Sequence, residues 1–100
     1  MGMPMYIILI NHTDHGIKDI GESPGHVEAF SRMVEEMGCA VHGNFSTMGR
    51  YDSTARVTAP DDEMISALAL KVAQVGNVRT ETLRAYTEAE FARIVEKIGG

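Results

Sequence analysis

Four histidines, one cysteine and nine basic residues are the groups through which this chain can do chemistry. His12 and His15 are separated by two residues, with Asp14 between them, and all three residue types can bind zinc. No third ligand follows at a fixed spacing and the stretch reads as a loop, so no metal site is expected, and His12 and His15 stay candidates on residue type alone. His42 falls in a strand pattern and Arg56 in the strand after it. If the two share a face, His42 can serve as a base and Arg56 can stabilise an anion. Arg79 and Glu81 fall on one side of a later strand, where a cross-strand ion pair is the expectation and anion binding by Arg79 or Arg56 the alternative. Cys39 is the only cysteine, which excludes an internal disulfide. Nothing near it would lower its pKa, so a buried structural thiol is expected. Nucleophile–base pairs, phosphate loops, dinucleotide-binding glycine patterns and paired-carboxylate motifs are absent from the sequence, and no cofactor is expected.

Residues 49–52, Gly-Arg-Tyr-Asp, form the most distinctive short stretch. Gly49 can supply a positive φ and Asp52 can accept from backbone amides, so turn chemistry accounts for both. Arg50 and Tyr51 are left over. They read as contacts to a neighbouring subunit, with a ligand between subunits as the other possibility.

Elements must position these groups. Residues 5–11 form a short β-branched strand with two apolar faces, Tyr6, Ile8 and Ile10 on one and Met5, Ile7 and Leu9 on the other. Residues 13–21 connect, with Asp14 as a turn cap. Ser23 as N-cap and Pro24 at the first position start a helix with Val27, Phe30, Val34 and Met37 as its buried stripe; Gly38 stops it. Residues 39–48 form a second strand, with His42, Asn44, Ser46 and Met48 facing away from Val41, Gly43, Phe45 and Thr47. Residues 53–59 form a third strand, with Thr54, Arg56 and Thr58 opposite in facing to Ala55, Val57 and Ala59. Asp61 caps a second helix, with Met64, Leu68, Val72 and Val75 as its stripe, and Gly76-Asn77 ends it. Residues 78–86 form a fourth strand. Thr87 to Glu90 make a capping box for a last helix, whose stripe is Phe91, Ile94, Val95 and Ile98.

This order is a single α+β domain of the ferredoxin-like type: a four-stranded antiparallel sheet, two helices on one face and an extra C-terminal helix. One hundred residues suffice for one core. The net charge of −5, with scattered basic residues, disfavours nucleic acid and anionic lipid as partners. Residues 5–10 are too short to span a bilayer, and a cytoplasmic location is expected.

Helices on one face leave Met5, Ile7 and Leu9 on the other. Soluble monomers avoid such a patch. The expectation is a homodimer, or a multiple of one, packed sheet to sheet. The gap between the sheets would be an apolar pocket edged by His42, Asn44, Thr54, Arg56 and Thr58, able to hold a small anionic metabolite.

Residues 49–52, Ala59-Pro60-Asp61-Asp62, the run 76–85 (Gly-Asn-Val-Arg-Thr-Glu-Thr-Leu-Arg-Ala), Tyr6-Ile7-Ile8-Leu9 and Glu22-Ser23-Pro24 with Val27 to Phe30 resemble the GYD domain family, over nearly the whole chain. The resemblance implies a dimeric α+β barrel from a bacterial or archaeal family without an established biochemical function. A fainter similarity, carried by Gly-x-Tyr-Asp and Val-x-Arg-Thr-Glu-Thr, is to the effector-binding domain of leucine-responsive transcription regulators, which implies ligand sensing between subunits. Ser53, Thr54, Ala55 and Arg56 depart from the large apolar residues usual there in the GYD family. Two functions follow as expectations: a homo-oligomeric small-molecule-binding or assembly module, and, as the alternative, a small cofactor-independent enzyme of the α+β barrel monooxygenase or isomerase type.

Overall fold

The β-branched run at the start of the chain becomes the central strand of the sheet. The computed structural model describes residues 2–99, which run β1 (Met5–His12), α1 (Asp14–Lys18), a 3-10 turn (Ile20–Glu22), α2 (Ser23–Glu36), β2 (Ala40–Ser46), β3 (Ser53–Thr58), α3 (Asp62–Val75), β4 (Val78–Ala85) and α4 (Glu88–Glu96). The strands form one antiparallel sheet in the order β2-β3-β1-β4, the ferredoxin-like arrangement.

Tyr6, Ile8 and Ile10 alternate into the side covered by the helices and are buried, while Met5, Ile7 and Leu9 on the other side are only half-buried. Val57 and Ala55 from β3, Ala59 just after it, Val34 from α2 and Leu68 from α3 join the core, all at 0% exposure. Truncating Leu68 to alanine would cost about 2–5 kcal/mol.

Local signals set most helix ends. Asp61 accepts from the Met64 amide at 2.9 Å and caps α3; Gly76, at φ +92°, ends it. Thr87 and Glu90 close the expected capping box of α4. Two expectations at the first connection do not hold. Thr13, not Asp14, caps α1, its hydroxyl accepting from the Gly16 amide. Ser23 is not an N-cap, because its own backbone is already helical and α2 continues directly from the 3-10 turn. Val27, at 46% exposure, and Val75, at 57%, fall outside the buried stripes expected for them.

A β-bulge corrects the facing expected for β2. Val41 opposes Val57, but Gly43 rather than His42 opposes Arg56, so one residue is inserted between them. Beyond the bulge the alternation inverts: Asn44 opposes Ala55 on the helix-covered side, and Phe45 opposes Thr54 on the open side. Asn44 therefore does not belong to the open face.

α4 leaves Phe91, Ile94 and Val95 exposed at 55%, 37% and 45%. The molecule measures 52 × 30 × 18 Å with a radius of gyration of 15.0 Å. A compact chain of this length has roughly 13 Å. The apolar side of α4 is therefore not folded back onto the core of its own chain. Among the described residues no helix is long and apolar enough to cross a membrane.

Candidate functional site

The loop after β2 is built as the residue types of 49–52 require. Gly49 has φ +105°, a conformation that disfavours any side chain. The Thr47 amide donates to Asp52 O at 2.9 Å and the Thr47 hydroxyl to Tyr51 O at 2.7 Å, closing the loop on itself. Asp52 then locks it to the central strand: its amide donates to Ile10 O, and its Oδ2 accepts from the His12 amide, each at 2.9 Å. The Tyr51 hydroxyl donates to Glu81 Oε1 at 3.2 Å, crossing from the loop to β4. Arg50 is exposed.

His42 and Arg56 lie together at the bulge on the open face. His42 Nε2 is 2.8 Å from Thr58 Oγ1, and Arg56 Nη2 donates to His42 O at 3.5 Å. A Cβ on Gly43 would sit 2.9 Å from Arg56 Nη2 and 3.2 Å from the Phe45 ring. The missing side chain at Gly43 thus makes room for the guanidinium to lie across the strand. Beside it the open face is apolar: Ile7 is flanked by Arg56 and Leu83, and Met5 by Thr58 and Ala85.

Arg79 and Glu81 share the open face, but the expected cross-strand ion pair is not formed. Their partners on β1 are Asn11 and Leu9, which carry no charge, and Glu81 instead accepts from Tyr51. Among the described residues Arg79 has no ion-pair partner and is exposed. His12 and His15 diverge. His15 Nε2 lies 4.0 Å from Asp19 Oδ2 on exposed α1, whereas His12 ends β1 on the helix-covered side. Among the described residues no three metal-ligating side chains meet. Cys39 is buried as expected. Burial pushes its thiol up, and the nearby Asp61 pushes it further, which opposes a thiolate nucleophile.

The sequence reading missed a second constellation. Tyr6 is 2% exposed, and its hydroxyl donates to Asp62 Oδ1 at 2.5 Å. Burial, then the hydrogen bond and charge of Asp62, push its phenol up to about 12, partly opposed by Arg84. The Arg84 guanidinium lies 5.6 Å from the Tyr6 ring centre and 4.5 Å from that of Tyr86, and donates to Met5 O and Ala85 O. Arg84 Nη2 also comes within 4.0 Å of Glu90, tying the first turn of α4 to the sheet edge. The hydrogen bond from the Thr87 amide holds the Glu90 carboxyl below its usual range. One signal was available: a tyrosine in an otherwise apolar central strand needs a buried partner.

A cavity of about 270 Å³ lies on the helix-covered side, between α2, α3 and the far end of the sheet. Its floor carries hydroxyls where a covered sheet is normally apolar. Ser53 and Thr80 flank Ile10 across the strands, and Ser46 lies beyond Ser53.

The GYD domain family model matches residues 6–95. A Thermus thermophilus protein described as "Glutamine synthetase and cystathionine beta-lyase binding protein" is 29% identical over 90 residues, spanning 89% of this chain and 95% of that protein. The crystal structure of TTHA0845, also from Thermus thermophilus, superposes with a TM-score of 0.56 at 25% identity, over 85% of this chain and 95% of that one. The de novo designed protein Foldit4 gives 0.49 at 12% identity, over 88% and 100%. With nine-tenths of its length matched by the family model, the chain belongs to the GYD domain family.

Proposed function

We propose that the protein is a self-associating binding module, two copies packing open face to open face and acting on other molecules by holding them. The observation that carries this reading is the half-covered row of Met5, Ile7 and Leu9 with Leu83 beside Ile7. Full burial of a large apolar side chain is worth about 1.5–3 kcal/mol. Only a minor part of each of Met5, Ile7 and Leu9 is still exposed, so completing their burial adds about 0.5–1 kcal/mol apiece and about 2–3 kcal/mol for the row. Arg56, beside this row, and exposed Arg79 put two cations on the same face, which supports a small anionic molecule as the occupant of the gap between sheets.

The name of the Thermus relative supports a second class of partner, an enzyme held by protein–protein contact. The unpacked stripe of α4 is a surface of the right kind, amphipathic and apolar along one side. Gel filtration of the protein mixed with the host's glutamine synthetase, and separately with its cystathionine β-lyase, tests this arm. Co-elution abolished by Phe91→Glu supports it; independent elution from both enzymes counts against it.

The enzyme reading has one observation in its favour, the shared face of His42 and Arg56. It requires that His42→Ala and Arg56→Ala each abolish turnover of an accepted substrate. Unchanged turnover in both variants would remove His42 and Arg56 from the reaction.

A further inference from the structure

We infer that the cavity beneath α2 is a second binding site, for an uncharged single-ring molecule bearing a hydroxyl, of the phenol class. This inference is independent of self-association, because the cavity lies on the opposite side of the sheet from the open face.

The floor of the cavity explains why it exists. Along the helix-covered side, successive cross-strand rows pass from Tyr6 with Val57, to Ile8 with Ala55, to Ile10 with Ser53. The side chains of the third strand shrink and become polar toward one end. The helices cannot close on that end without burying the hydroxyls of Ser53 and Thr80 against apolar groups. The walls are mostly apolar, with Phe30 and Met33 from α2 and Val72 from α3, and α2 also brings Ser23 and His26 to them. An apolar chamber with a few hydrogen-bonding groups on one surface is the general form of a small-molecule site.

Size and charge narrow the class. A dry cavity of about 150 Å³ accepts benzene. The cavity here, at about 270 Å³ and open to solvent past Ile20, Val27 and Val75, admits one ring with a short substituent. Its lining contains no lysine or arginine and includes Asp52, so an anion would enter beside a carboxylate, with the imidazoles of His12 and His26 as the groups able to donate to it. Ser53, Thr80 and Asn44 offer both donors and acceptors, which a hydroxyl can satisfy in either sense.

The test is titration of the ¹⁵N-labelled protein with 4-ethylphenol, and in parallel with 4-ethylbenzoate. The expected result is a saturable set of amide shifts centred on Phe30, Asn44, Ser53, Val72 and Thr80, with 4-ethylbenzoate weaker by about tenfold or more. Val72→Phe, which fills the chamber, should abolish the shifts. Ser53→Val with Thr80→Val, which keeps the chamber but removes its hydroxyls, should weaken 4-ethylphenol and leave ethylbenzene unaffected. Folding of each variant is checked by its amide spectrum, and the double variant decides the matter if Val72→Phe does not fold. No saturable shift with 4-ethylphenol, shifts that map to the open face around Ile7, or equal binding of 4-ethylbenzoate would each overturn the inference.

Discussion

The Tyr51 hydroxyl donates to Glu81 Oε1 across 3.2 Å, joining the β2–β3 loop to a strand on the far side of β1. The tyrosine of the Gly-Arg-Tyr-Asp stretch is thus a strut over the open face, and the aspartate beside it is a lock on the central strand. The stretch fixes the rim of the face on which self-association is proposed, and Arg50 alone is left pointing to solvent.

The strut and the lock differ in burial, so they should differ in energy. Tyr51→Phe removes an exposed hydrogen bond and should cost about 0.5 kcal/mol or less. Asp52→Ala leaves the part-buried His12 amide without its acceptor and should cost about 1–2 kcal/mol, while Asp52→Asn, which keeps a carbonyl oxygen there, should cost less. Urea denaturation of the three variants measures this order. Equal losses for Asp52→Ala and Asp52→Asn would mean that the charge, not the hydrogen bond, matters.

Gly16 is required by close approach. A Cβ there would lie 1.9 Å from Asn77 O, on the backbone that follows α3, while Thr13 donates to both Asn77 O and Gly76 O. Gly16→Ala must push α1 off this turn, at about 1–3 kcal/mol. Gly38→Ala meets no atom and suffers only its φ of +75°, about 1 kcal/mol. Thermal melting should rank Gly16→Ala as the less stable of the two, and the reverse order would remove α1 from the folded core.

Tyr6 makes a prediction at high pH. Its folded-state pKa, about 12, lies above the ordinary value of 10.0, so the folded state holds the phenolic proton more tightly than the unfolded chain. The resulting stability is fully present below pH 10 and is lost as pH rises toward 12. When phenolate absorbance is followed, Tyr6→Phe should remove a titration step near pH 12. A high-pH titration that Tyr6→Phe leaves unchanged near pH 12 would contradict the burial and the Asp62 bond.

What the sequence made legible was local. The apolar alternation of β1, the Asp61 cap, the Thr87–Glu90 box and the positive φ at Gly49 each depend on neighbours within a few residues. What it hid was set by pairing between distant strands. The bulge at His42 inverts Asn44 and Phe45 relative to strict alternation, and only the partners on β3 reveal it. Arg84 reads as a strand residue until the register sets it opposite Tyr6. The cross-strand ion pair expected of Arg79 and Glu81 failed for the same reason, since the residues opposite them on β1 are Asn11 and Leu9.

The mass of the protein in solution tests the central claim most directly. Light scattering on a dilution series should give about 21.8 kDa, twice the 10.9 kDa of one chain, or a multiple of it. Ile7→Glu, which puts a charge into the middle of the open face beside Leu83, should return the mass to 10.9 kDa while the fold persists. A wild-type mass of 10.9 kDa at every concentration would contradict the account.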